Sequence, residues 1–378
     1  MTRSYHGGRI FDGTQLHDGA TLRLEDDLIA GISTAPPPAT STDLGGDILC
    51  PGYVDLQVNG GDGVMLGDAV SVGGLRRIAG AHRRLGATTI LPTLITDRPE
   101  ATRGAIAAVT DAVQQGTPGI GGLHLEGPHL SLPRKGAHDA ALIREMTAED
   151  LALLCDAART LPVLLITLAP ESTTPDQVAA LTRAGALVSL GHTDADYETC
   201  LAWHRAGARG VTHLFNAMSQ LGSRAPGLVG ATLHCPGLTA GLIADGVHVH
   251  PATIRAALAA KAGTDGIFLV SDAMAVAGTD LADFTLGGRM IHRAGGRLEL
   301  ENGTLAGADL DLTRAVTVLV RDCGVPLDRA LAMATRVPAE FAGIGGAGRL
   351  DPGSTAPILR LRETPEGLRL IEVIDPAG

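Results

Sequence analysis

The run "IGGLHLEGPHLS", residues 120–131, decides how the rest of the chain is read. Its apolar rise from Ile120 through Leu123 to Leu125 looks like a strand. The strand ends on a carboxylate, Glu126, with Gly127 and Pro128 following at once and a histidine on either side, His124 and His129. A carboxylate at the end of an apolar strand needs something to hold its charge. Glu126 has two readings at this level: a cap for the segment after Gly127-Pro128, or a ligand whose charge a cation offsets.

Working outward, seven further apolar runs share this character, at 48–58, 87–95, 162–169, 186–191, 210–215, 239–245 and 267–272. Helical patterns lie between most of them. "TAEDLALLCDAART" opens with a capping box from Thr147 to Asp150. "TPDQVAALTRAG" has Thr174 as cap, Pro175 at the first position and Gly185 as stop. The helix between the sixth and seventh strands has the weakest signal. Eight strands alternating with helices predict a (β/α)8 barrel. After the eighth strand, "LGGRMIHRAGGRLELENGTLAG" reads as a hairpin insertion, and helices over 308–323 and 326–342 close the ring. At the ends, "ATLRLEDDLIAGIST" and "APILRLRETPEGLRLIEV" read as short antiparallel strands. The expected organisation is a small β-sandwich from residues 1–50 and 345–378 around a catalytic barrel of residues 51–344.

Composition agrees and excludes some functions. The 378 residues are 45% apolar but only 2% aromatic, so the core must be built from Ala, Val, Leu and Ile. A net charge of −11 argues against a nucleic-acid partner, though a local pocket can still take a small anion. Five scattered cysteines without a C-x-x-C pair suggest reduced thiols and a cytoplasmic setting. The start "MTRSYHGGRIFDG" has no apolar signal region, and no apolar run is long enough to span a membrane.

In a barrel the chemistry gathers at the C-terminal ends of the strands. The polar residues of this chain fall there: Asp55, Gln57 and Asn59 on the first strand, Glu126 on the third, His192 on the fifth and His213 on the sixth. Asp245, with His248 just beyond, ends the seventh, and Asp272 the eighth. One such residue is usually a cap or a structural histidine, but a series in register is hard to explain by capping alone. Glu126, His192 and His213 together form a plausible site for one divalent metal with open positions for water. Asp272, among apolar neighbours, is the natural acid–base group. Arg224, in the Gly/Pro-rich loop after the sixth strand, suits phosphate or carboxylate recognition. His138 carries little by itself.

Taken in order, "PGYVDLQVNGGDG", "HLEGPHLS" with "KGAH", "GHTDA", "THLFNAM", "ADGVHV" and "VSDAM" resemble the N-acetylglucosamine-6-phosphate deacetylases of the amidohydrolase superfamily. The resemblance runs from about Pro51 to Met274 and on to "GTLAG" at 303–307. It implies metal ligands at Glu126, His192 and His213, and a catalytic carboxylate at Asp272. It also implies that His138 polarises the acetamide carbonyl. Asn216, the Ala217 backbone, Arg224 and His248 would hold the sugar phosphate, and such an arginine can reach across a homodimer interface. Many members of the superfamily carry His-x-His on the first strand for a second metal, where this chain has Gln57 and Asn59. Neutral amides are poor ligands for a transition metal, so one ion per subunit is expected, zinc before iron, manganese or cobalt, and the two amides become pocket groups. The competing readings are the N-acetylgalactosamine 6-phosphate epimer, a barrel that binds sugar phosphate without catalysis, and a cyclic amidohydrolase. The last is disfavoured by the missing His-x-His and by the absence of a lysine in "LPVLLITLAPE".

Overall fold

A computed structural model describes residues 2–375. Eight parallel strands are neighbours in chain order: Tyr53–Val58, Ala87–Ile95, Leu123–Glu126, Leu164–Leu168, Leu187–Leu190, Gly210–Val211, Thr239–Leu242 and Ile267–Leu269. They are called the first to eighth barrel strands below. The seam between first and eighth is closed more sparsely than the rest. An isolated Val58–Ala273 bridge spans it, with Asp272 N donating to Gln57 O at 3.1 Å and Asn59 N to Ala273 O at 2.9 Å.

The predicted helix starts reflect local chemistry. Both halves of the Thr147–Asp150 capping box are made, and helix Ala148–Thr160 follows. Thr174 and Gln177 form a second box before Pro175–Ala184, which ends on left-handed Gly185. The weakly signalled connection contains a short helix, Gly227–His234, that is buried almost throughout. Burial on all sides removes the amphipathic periodicity that would have announced it.

Three expectations are corrected. The run 48–58 is two strands: Ile48–Pro51 pairs with the terminal segments, and only Tyr53–Val58 enters the barrel. Gly52 permits the change of sheet, since a Cβ there would lie 1.9 Å from Thr88 Oγ1. The final helical region starts later, at Leu312–Arg321, and its second part breaks at Thr335 into Leu327–Ala334 and Arg336–Ala342. Pro338 falls in the first turn of the last helix, where its missing N–H costs nothing. The hairpin insertion is a four-stranded antiparallel sheet spanning Asp283–Leu286 to Leu305–Ala308.

The termini form a four-stranded and a five-stranded sheet, the latter joining Ile48–Pro51 to Ile358–Thr364 and Gly367–Ile374. They share one core, with Tyr5, Leu22 and Ile29 from one sheet against Ile10, Leu49 and Ile358 from the other. Buried Asp47 ties the two ends of the chain together. It accepts from Arg362 Nε at 2.7 Å and Arg360 Nε at 2.6 Å, and the Arg362 hydrogen bond leads in holding its pKa below the usual carboxylate range. Among the described residues no helix is long and apolar enough to cross a membrane.

Candidate metal centre and active site

The third, fifth and sixth strands deliver Glu126, His192 and His213 to one point. Glu126 Oε1 lies 3.2 Å from His192 Nε2 and 3.0 Å from His213 Nε2, and the two nitrogens are 3.1 Å apart. Ligands about 2.0–2.1 Å from a tetrahedral zinc ion stand about 3.3 Å from one another, so this triangle fits the edges of such a site. His192 Nδ1 faces the Arg134 carbonyl at 2.8 Å. A carbonyl only accepts, so Nδ1 carries the proton and Nε2 presents its lone pair to the triangle. Burial alone would raise the Glu126 pKa, but the His192 and His213 rings against its carboxyl hold it well below the ordinary carboxylate range.

The backbone is strained where these groups meet. His192, His213, Ala217 and Asp272 adopt φ of 48°, 32°, 50° and 51°. Left-handed conformations at such residues cost about 1–3 kcal/mol each and gather at functional sites. Gly127, at φ 91°, lets the chain turn away from Glu126; a Cβ there would meet Thr96 Oγ1 at 2.2 Å.

Asp272 faces the triangle from the eighth strand. Gln57 Nε2 donates to both Asp272 Oδ1 and Glu126 Oε1 at 3.1 Å, and Asn59 Nδ2 donates to Asp272 Oδ1 at 2.7 Å. The two first-strand amides therefore tie the carboxylates together, and Asn59 also lines the cavity. Burial, and then the charge of Glu126, push the Asp272 pKa up to about 6.

His138 approaches from the loop after the third strand, its Nε2 3.9 Å from Glu126 Oε2. Thr96 N donates to His138 Nδ1 at 3.3 Å, with Thr96 Oγ1 also 2.7 Å away. A backbone N–H cannot accept, so Nδ1 is unprotonated and Nε2–H is the donor turned to the cavity. Burial, followed by His192, lowers the His138 pKa to about 3, which keeps the ring neutral.

These groups line a cavity of about 480 Å³ together with Asn216, Ala217 and His248. His248 Nδ1 donates to buried Asp245 Oδ2 at 2.7 Å, which turns its Nε2 away from that carboxylate. Leu286 and residues 303–307 of the insertion sheet form part of the wall. Arg224 is exposed and does not line this cavity. His124 and His129 point elsewhere: His124 bridges Thr93 and Thr167 inside the barrel, and His129 faces the Arg144 carbonyl. A larger groove of about 820 Å³ beside Arg83 and Arg314 holds none of the predicted site residues.

Sequence reading missed three supports. Thr96 fixes the His138 tautomer, the Arg134 carbonyl fixes that of His192, and Asp55 is fully buried beneath Gln57. A backbone carbonyl has no sequence signal. Asp55 did stand in the register of strand-end polar residues and could have been singled out.

A barrel with a metal-competent triangle of one carboxylate and two imidazoles, and a raised-pKa carboxyl beside it, defines a hydrolase site. The Amidohydrolase family model matches residues 48–368, and the chain belongs to the amidohydrolase family of enzymes. It is 41% identical to an N-acetylgalactosamine-6-phosphate deacetylase of Shewanella sp. (strain ANA-3), over 89% of this chain and 86% of that one. It is 36% identical to the N-acetylglucosamine-6-phosphate deacetylase of Haemophilus influenzae, over 80% and 79%. Among solved structures it resembles a mutant N-acetyl-D-glucosamine-6-phosphate deacetylase of Mycobacterium smegmatis in complex with N-acetyl-D-glucosamine-6-phosphate. There the TM-score is 0.91 at 30% identity, covering 100% of this chain and 98% of the other.

Proposed function

We propose that this chain hydrolyses N-acetyl-D-glucosamine 6-phosphate to D-glucosamine 6-phosphate and acetate. The observation that carries the reading is the meeting of Glu126, His192 and His213 with Asp272 and His138 on one cavity wall. Glu126, His192 and His213 would hold one divalent metal, zinc before iron, manganese or cobalt. Bound there, such an ion supplies Lewis-acid activation of water at neutral pH. Asp272 accepts the proton of the attacking water and returns it to the leaving amine. His138 Nε2–H donates to the acetamide oxygen as negative charge develops on it. Gln57 and Asn59 orient the Asp272 carboxylate. Asn216, the Ala217 backbone and His248 hold the sugar phosphate at the cavity wall. Arg224, exposed on its own protomer, reaches the phosphate bound by a second copy, which makes the enzyme a homodimer. Catalysis belongs to residues 51–344, with 1–50 and 345–378 as the separate small β unit. Five free cysteines agree with a cytoplasmic enzyme.

A second reading, the N-acetylgalactosamine 6-phosphate epimer, is favoured by the name of the Shewanella relative. The deciding experiment measures acetate release from both epimers. We expect kcat/KM to favour the gluco sugar by about tenfold or more, as a pocket that hydrogen-bonds a hydroxyl can achieve. A preference for the galacto sugar would replace the first reading by the second, and no release from either would remove both. In the same assay His138→Ala is expected to lower kcat by about 10²–10³-fold, the usual loss for one oxyanion donor. Metal content per chain should not change; a variant within threefold of wild type would deny His138 that role.

A further inference from the structure

Asp55 is a fully buried carboxyl of the first barrel strand, with no cationic side chain against it among the described residues. Burying an unpaired carboxyl is costly, and an apolar residue at this point of a barrel core would be less so. Its contacts are with Gln57 and Ser271, through their backbone N–H groups and the Ser271 side chain. Asp55 Oδ1 accepts from Gln57 N at 3.2 Å, and its two oxygens accept from Ser271 N at 3.2 and 3.3 Å. Ser271 belongs to the other side of the seam. There, in place of a strand carbonyl, a side chain satisfies the N–H of the residue just before Asp272.

The neighbouring contacts give this clamp a direction. One residue on, Asp272 N donates to Gln57 O, and Ala308 N donates to Asp272 O at 2.9 Å. Asp272 has left-handed φ, so its side chain is aimed by how its flanking peptides are held. The two flanking peptides are held by Gln57 O and Ala308 N, the peptide one residue further back by Asp55 through Ser271 N, and the carboxylate itself by Gln57 and Asn59. We propose that Asp55 is a positioning residue, whose carboxylate clamps the first strand to Ser271 and thereby aims the Asp272 side chain at the reacting atoms.

The inference rests on the deacetylase reading for its kinetic arm and stands apart from it in a second arm. Asp55→Ala removes the acceptor, whereas Asp55→Asn keeps an oxygen for the two N–H groups. In the kinetic arm, Asp55→Ala should lower kcat for acetate release by about 50-fold or more, with KM within about threefold, because a misaimed group costs rate more than binding. Metal per chain should match wild type, and Asp55→Asn should retain about a third or more of kcat. In the second arm, hydrogen exchange of the peptide spanning residues 267–274 should quicken in Asp55→Ala and not in Asp55→Asn, whether or not the protein releases acetate. If Asp55→Ala does not fold, Asp55→Ser is measured in its place. The proposal is overturned by unchanged exchange, by kcat within threefold of wild type in the alanine or serine variant, by a kcat loss matched by metal loss, or by an asparagine variant as damaged as the alanine one. A wild-type protein that releases no acetate, with strand-eight exchange still governed by Asp55, would defeat the deacetylase reading and leave the clamp standing.

Discussion

Replacing Asp272 by asparagine is expected to lower kcat by about a thousandfold or more, at the upper part of the range for a single acid–base group. The loss is large because one side chain is asked to move a proton twice, from water and then to the amine. Asparagine matches the carboxylate in shape, so the cavity and the metal ligands should persist; elemental analysis should find the metal content of wild type. Gln57 and Asn59 both donate to Oδ1, which leaves Oδ2 to exchange the proton. The pH profile supplies a second check. Burial and the Glu126 charge raise the Asp272 pKa to about 6. A base must be ionised to act, so kcat should fall as pH drops through this value, and a cation offsetting Glu126 would move that limb lower. We therefore expect an acid limb at or below pH 6 in wild type and none governed by this group in Asp272→Asn. A variant retaining turnover within tenfold of wild type would sink the assignment.

The parts of this arrangement legible in the sequence are those with local chemistry. The capping boxes at Thr147 and Thr174 marked helix starts because a cap is made within four residues. The strand-end positions of Glu126, His192, His213 and Asp272 were readable because barrel topology sends such ends to one face. The junction at Gly52 was not, since one continuous apolar run serves two sheets there. Thr335, where the last helical region breaks, carried no local breaker of its own, although Pro338 beyond it was a usable signal. The supports of the site were least visible. Thr96 meets His138 across 42 residues of chain, and Asp55 meets Ser271 across 216. No local pattern predicts such pairings; they exist only once the barrel has closed. Arg224 is a different case: its loop and residue type suggest anion binding, and the fold leaves it exposed outside the cavity of its own protomer, so the proposed role needs a second copy of the chain.

Removal of the metal is expected to abolish turnover, and restoring it should require only one ion per chain. The ligand triangle places a carboxylate oxygen within 3.2 Å of two imidazole nitrogens, a donor set for one cation. A second ion would need ligands on the first strand, and Gln57 and Asn59 answer against it. Both Glu126 and Asp272 are acceptors, so the amide nitrogens must face them, and donor hydrogens then point where a second cation would approach. Dialysis against a chelator at neutral pH should leave less than about 1% of activity, in keeping with the weight Lewis-acid activation carries in such sites. The barrel itself should remain folded, because its core of Leu, Val, Ile and Ala is continuous without the site. Circular dichroism should therefore change little while activity is lost. Titrating zinc back should restore turnover with a break near one equivalent. His192→Gln should reduce metal binding by about 10²-fold or more and resist rescue at stoichiometric zinc, since an amide replaces an imidazole ligand. Acid should mimic the chelator: the ligands must be deprotonated to bind, so metal occupancy falls as pH falls. A break at two equivalents would show that the first-strand amides do not keep a second ion out.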